Sequence, residues 1–119
     1  MKMSDGMTIE EIIKTLSEKY GDEFNWFLLP ADNTFFAKEL KIELHSDDKF
    51  LSGEIRAVAK CESNDDVLFQ GIVSNSCSWR IYHLTYAVDN ALGYPKYIEF
   101  SDAQSVGEYI QEQLQQHSR

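Results

Sequence analysis

The stretch Leu51–Val88, LSGEIRAVAKCESNDDVLFQGIVSNSCSWRIYHLTYAV, decides the fold. Polar turns at Glu62–Asp66 and Ser74-Asn75-Ser76 break it into runs rich in β-branched and aromatic residues. Runs of this kind, punctuated by short polar turns, read as antiparallel strands. In the first run Leu51, Gly53, Ile55, Ala57, Ala59 and Cys61 share one parity, while Glu54, Arg56 and Lys60 take the other. That is the pattern of a strand wet on one side, and the small residues of its inward face leave room for a helix to lie across it. Val67–Val73 carries apolar residues on both parities and reads as a central strand.

Cys77–Leu92 admits two readings. Residues 80–88 have strand-forming side chains and follow a hairpin-like turn. Ile81, Leu84, Val88 and Leu92 also keep rough helical spacing, with Gly93 and Pro95 as a helix stop. Residue preference and the preceding turn together favour the strand.

Outward from this stretch the pattern changes. Thr8 and Glu11 have capping-box spacing, Ile9, Ile12, Ile13, Leu16 and Tyr20 form an apolar stripe, and Gly21 supplies a stop, so a helix is expected there. Phe24–Leu29 reads as a short strand closed by Pro30. Over Phe35–Leu44, Phe36, Leu40, Ile42 and Leu44 alternate with Glu39, Lys41 and Glu43, which predicts a further half-exposed strand. Tyr97–Phe100 reads as a last short strand. A closing helix follows, capped by Ser101 or Asp102, with Ala103, Val106, Ile110 and Leu114 inward.

The sequence thus predicts an α+β fold in a single domain over residues 8–119, after a flexible lead-in at 1–7. Its elements are an N-terminal helix, an antiparallel meander of five to six strands and a C-terminal helix. Both helices are expected on one sheet face, leaving the other wet or available for contact.

Composition narrows the function classes. Asp and Glu number 20 against 11 Lys and Arg, a net charge of −9 on 119 residues. A field of that sign repels nucleic acid and anionic membrane and speeds encounter with basic partners. Lys38, Lys41, Arg56 and Lys60 are interspersed with Glu39, Glu43 and Glu54, a salt-bridged surface rather than a phosphate track. No apolar run approaches the roughly 20 residues of a membrane span. Met1–Met7 lacks the apolar core of a secretory signal, so a cytoplasmic protein with Cys61 and Cys77 reduced is expected.

Neither a cofactor nor a metal is expected. Cys61 and Cys77 lie sixteen residues apart, and His45, His83 and His117 belong to unrelated elements, unlike the close ligand spacing of a zinc site. A Cys61 or Cys77 nucleophile with His83 as base is conceivable, yet carries no flanking signature. The acid pairs Asp22-Glu23, Asp47-Asp48 and Asp65-Asp66 suit solvated turns, where Asp accepts backbone hydrogen bonds. No Gly-rich phosphate cradle occurs. With no catalytic motif, the chain is expected not to be an enzyme.

Recognition has a better-marked candidate. Trp79, Arg80, Tyr82, Tyr86, Tyr94 and Tyr97 crowd into nineteen residues, and Trp, Tyr and Arg dominate interface hot spots. In size, charge and lack of catalytic residues the chain is similar to small acidic inhibitors such as the immunity proteins that neutralise a cognate bacterial toxin. The resemblance implies a protein partner, basic and possibly a nuclease, steered by complementary charge. On that reading Asp47, Asp48, Glu62, Asp65 and Asp66 steer the partner, and Trp79, Tyr82, Tyr86 and Tyr94 anchor it. A dimeric acidic secretion or effector chaperone and a small-ligand-binding domain are the alternatives, so a monomer or a homodimer fits.

Overall fold

The computed structural model describes residues 7–43, 49–86 and 96–117, with side chains omitted at Lys49, Leu51 and His117. Its spine is a hairpin. Strand β3 (Asp66–Val73) turns through Ser74-Asn75 into β4 (Ser76–His83), in full antiparallel register from Val73–Ser76 to Asp66–His83. Ser74 and Asn75 both adopt positive φ, 51° and 65°. That is the two-residue turn whose twist matches the flanking strands, and Asn tolerates it best among non-glycine residues. Strand β2 (Glu54–Cys61) joins the other edge of β3, β1 (Trp26–Leu28) pairs with β2, and β5 (Tyr97–Phe100) pairs with β4. The sheet order β1-β2-β3-β4-β5 places Val67–Val73 at the centre, as its two-faced apolarity requires.

Helices α1 (Ile9–Tyr20) and α3 (Ala103–His117) pack together on one face. The capping box of α1 is complete: Glu11 N donates to Thr8 Oγ1 at 3.1 Å and Thr8 N donates to Glu11 Oε1 at 2.9 Å. Gly21, at φ 56°, ends the helix, its N–H bonded to Ser17 O. Asp102 caps α3, accepting from Ser105 N at 2.7 Å. Ile9, Ile12, Ile13 and Leu16 of α1 meet Val106, Ile110 and Leu114 of α3 over Trp26, Val58, Ala59, Cys61, Leu68 and Ile81 of the sheet.

Two sequence expectations change. Residues 35–43 form a helix, α2 (Phe35–Glu43), not a strand, while Leu44 falls outside the described residues. Ala37 to Lys41 are mostly strong helix formers, and Phe36 and Leu40 are four apart, a spacing that serves either period. Ile42 settles the matter, since the strand pattern places it beside Leu40, yet Leu40 is buried and Ile42 is 57% exposed. Lys38 and Lys41 therefore lie on a helix rather than on the sheet.

The second change concerns β2. A β-bulge between Ala57 and Ala59 shifts its register, with Ala57 opposite Phe69 and Ala59 opposite Leu68. Inserting one residue reverses side-chain parity along the strand. Ile55 and Ala57 consequently face one core, while Val58, Ala59 and Cys61 face the other. The face away from α1 and α3 is not simply wet. Helix α2 and Phe50, from a 3-10 turn at Lys49–Ser52, cover part of it, and Leu40, Phe50, Ala57, Val67, Phe69, Tyr82 and Leu84 form a second core.

Candidate functional site

The second core ends in an acidic group at one end of the sheet. Beyond β4, Leu84 is buried in that core and its N–H donates to Asp65 O in the β2–β3 loop at 3.2 Å. Thr85 and Tyr86 then run past the end of α2, where Glu43 meets them. Its side chain is only 3% exposed. Oε1 accepts from Thr85 N at 2.7 Å and from Thr85 Oγ1 at 2.9 Å, and Oε2 accepts from Tyr86 N at 2.9 Å. One turn earlier on the helix stands Glu39, half-buried, whose carboxyl group is electrostatically tied to that of Glu43.

The electrostatics follow from those bonds. Burial opposes charge on Glu43, but the interaction with Glu39 and the hydrogen bonds from the Thr85 and Tyr86 amides and the Thr85 hydroxyl outweigh it, holding its pKa below the usual carboxylate value. The interaction with Glu43, with burial and Glu43's charge adding to it, pushes Glu39 up to about 7. Tyr86 takes φ 57°, a strained value for a bulky residue, and Glu43 fixes it there. Its ring stays 44% exposed. Partial burial, then the charges of Asp65, Glu39 and Glu43, raise the pKa of its phenol.

Among the residues singled out from the sequence, Glu62, Asp65, Asp66 and Tyr86 come together at this end. Glu62 and Asp65 are exposed, and Asp66 is half-buried beside His83, whose Nδ1 lies 2.9 Å from its Oδ1. Trp79 and Tyr82 do not join them. Tyr82 is fully buried between Phe50 and Phe69 and offers a partner no surface, which corrects its expected part as an anchor. Trp79 is half-buried against the α1–α3 core. Asp47, Asp48 and Tyr94 lie outside the described residues. The sequence reading missed Glu39 and Glu43, because a strand over 35–44 turns both toward solvent, and only helical spacing sets them one turn apart.

Farther along the same face, Arg80 is an internal brace. Its Nε donates to Glu99 Oε1 at 2.7 Å and its Nη1 to Tyr82 Oη at 2.6 Å. The guanidinium carbon sits 4.5 Å from the Phe50 ring centre and 4.2 Å from that of Tyr97. Beside it lies a groove of about 440 Å³ edged by Phe50, Ser76, Ser78, Arg80 and Glu99. On the opposite face Arg56 pairs with Glu10 of α1 at 2.8 Å, so this sheet arginine is neutralised by a helix.

A thiol–imidazole dyad does not form in β4. His83 lies six positions along the strand from Cys77, roughly 20 Å at about 3.3 Å per residue. Cys61 is buried and unbridged, and Cys77 is exposed and unbridged. No group of three metal-ligating side chains occurs among the described residues, and no helix among them is long and apolar enough to cross a membrane. Comparison with protein-family models, with curated proteins and with solved structures finds no match to this chain.

Proposed function

We propose that this chain is a non-enzymatic, cytoplasmic protein-binding module that recognises a basic partner, and specifically an inhibitor of the immunity type that neutralises a bacterial toxin by direct contact. The observation that carries this reading is Tyr86: a half-exposed ring in a strained, anchored conformation, with Asp65 and Glu39 beside it, Glu62 on the adjoining loop and Asp66 at the start of β3. A pre-set aromatic surrounded by carboxylates suits a Lys or Arg side chain, which gains cation–π contact and ion pairing together. The reading predicts a toxic basic domain encoded beside the gene, and the test is co-expression with the neighbouring gene products. Rescue of growth supports the reading, and failure to rescue with any neighbouring gene product contradicts it.

A second reading rests on the sheet edges. Tyr97 and Ile98 of β5 are 46% and 42% exposed, and Phe27 and Leu28 of β1 are 42% and 38% exposed. Apolar edge residues suit a homodimer of the chaperone kind. Light scattering over a range of concentrations decides, because a chain that stays monomeric removes this reading.

A further inference from the structure

Strand β4 is longer than the strand that covers its outer edge. It runs over Ser76–His83, but β5 pairs with it only from Trp79 to Tyr82. Phe100 makes the last pair, and the chain then bends through Ser101 to Asp102, which caps α3. His83 N donates to Lys96 O at 3.0 Å, and antiparallel bonding alternates along a strand. His83, Ile81, Trp79 and Cys77 therefore direct their backbone groups to this edge. The first three meet Lys96 and β5. Cys77 lies past the end of β5, and among the described residues no backbone group pairs with it on this side. Its side chain turns to the α1 face, where Gln70 Nε2 donates to Sγ at 3.8 Å and Arg56 links Gln70 to Glu10. Cys77 thus presents its backbone to the groove of about 440 Å³ beside Arg80.

We propose that this vacated edge takes up an extended peptide segment carrying a basic residue, added as a short strand beside Ser76–Ser78 in the line of β5. Strand addition draws affinity from main-chain bonds and specificity from alternate side chains. A peptide residue opposite Cys77 exchanges both backbone bonds with it. The residue opposite Ser78 then points into the groove, on the face of Glu99 and two positions along from it. The floor at that point is made of small residues, Ser76, Ser78 and Gly71, the last directly across from Ser78 and under the Phe50 ring. An incoming side chain has room there, with Phe50 as its wall. Charge selects which side chain fits. The side chain of Arg80 is only 11% exposed, whereas that of Glu99 is 52% exposed, so the groove offers a carboxylate and suits a lysine or arginine. This edge lies at the opposite end of β4 from Tyr86, and the proposal does not depend on the function read from that ring.

The test is a titration of the 15N-labelled chain with the peptide acetyl-Lys-Thr-Val-amide at high millimolar concentration. In the free chain the Cys77 amide should exchange rapidly with deuterium while the Trp79 and Ile81 amides stay protected. With peptide, the Cys77 amide should shift downfield and gain protection, and the Tyr86 amide should not move. N-methylation of the peptide's threonine removes the N–H that faces Cys77 and should abolish the shift. Glu99→Gln should weaken binding by about two- to five-fold, the size of an exposed ion pair. A Cys77 amide that ignores the peptide would overturn the proposal, and so would an N-methylated peptide that acts as well as the parent. Undiminished binding in Glu99→Gln would overturn the choice of a basic residue. Protection at Cys77 in the free chain that grows with protein concentration would give the edge to a second copy, which also overturns the proposal.

Discussion

The two faces of the sheet are built on different chemistry. Under α1 and α3 the core is largely aliphatic, with Ile12, Ile13, Leu16, Val58, Leu68, Val106 and Ile110 almost wholly withdrawn from water. Under α2 and Phe50 it is aromatic and polar: Phe69 and Tyr82 meet edge to face near Arg80, and Glu43 is buried at the edge. An aliphatic core is held by area and packing, which tolerate no charge and need no direction. A buried carboxylate holds only while each of its bonds is made, so it fixes geometry at the cost of dependence on its partners. The first face supplies stability. The second positions Tyr86.

Truncation should separate them most strongly. Leu16→Ala or Ile110→Ala removes a wholly buried side chain from the aliphatic face and is expected to cost about 2–5 kcal/mol in denaturant unfolding. The native-state amide positions of Thr85 and Tyr86 should not move, and if they do, the faces are not independent. Next in size, Glu43→Ala strands the Thr85 and Tyr86 donors, at about 1–3 kcal/mol for a buried group left unpaired. Its signature is rapid hydrogen exchange at those two amides with the α1 amides still protected. Gly71→Ala should cost a similar or smaller amount, about 1–3 kcal/mol, because an added Cβ would come 2.5 Å from the Phe50 ring.

The smallest effect is that of pH. The Glu39 pKa is raised on folding, from 4.5 to about 7. Its proton therefore stabilises the fold fully below pH 4.5, and that contribution is lost as pH rises through about 7. The melting temperature of the wild type should fall slightly across this window relative to Glu39→Gln, and parallel curves for the two proteins would contradict it.

The sequence told these faces apart unevenly. The aliphatic face was legible because its signals are local: the Thr8–Glu11 box, the Gly21 stop, the isoleucine stripe and the Asp102 cap each act within a few residues. The hairpin was legible for the same reason. The aromatic face was not, since Phe36, Leu40 and Ile42 satisfy period two as readily as their neighbours satisfy 3.6, and only the exposed Ile42 separates the cases. A bulge between Ala57 and Ala59 leaves no mark in a run of small residues. Tyr82 and Tyr86, four apart, had the same claim to be anchors, and the core they border buries one and leaves the other open. The meeting of Glu43 with Thr85 spans 42 positions of the chain and has no local signature.

If the aromatic face builds a binding site, its variants should divide kinetically. Neutralising Asp65 should slow association and flatten its salt dependence, whereas Tyr86→Ala should mainly speed dissociation. If the proposed partner is a toxic basic domain encoded beside the gene, growth rescue in cells that co-express it is the most direct measurement, comparing wild type with Tyr86→Ala, Asp65→Asn and the α1 surface control Glu18→Gln. Loss of rescue in the first two variants, with Glu18→Gln rescuing like wild type, is the expected result. Full rescue by Tyr86→Ala and Asp65→Asn would show that the partner binds elsewhere and would contradict the account.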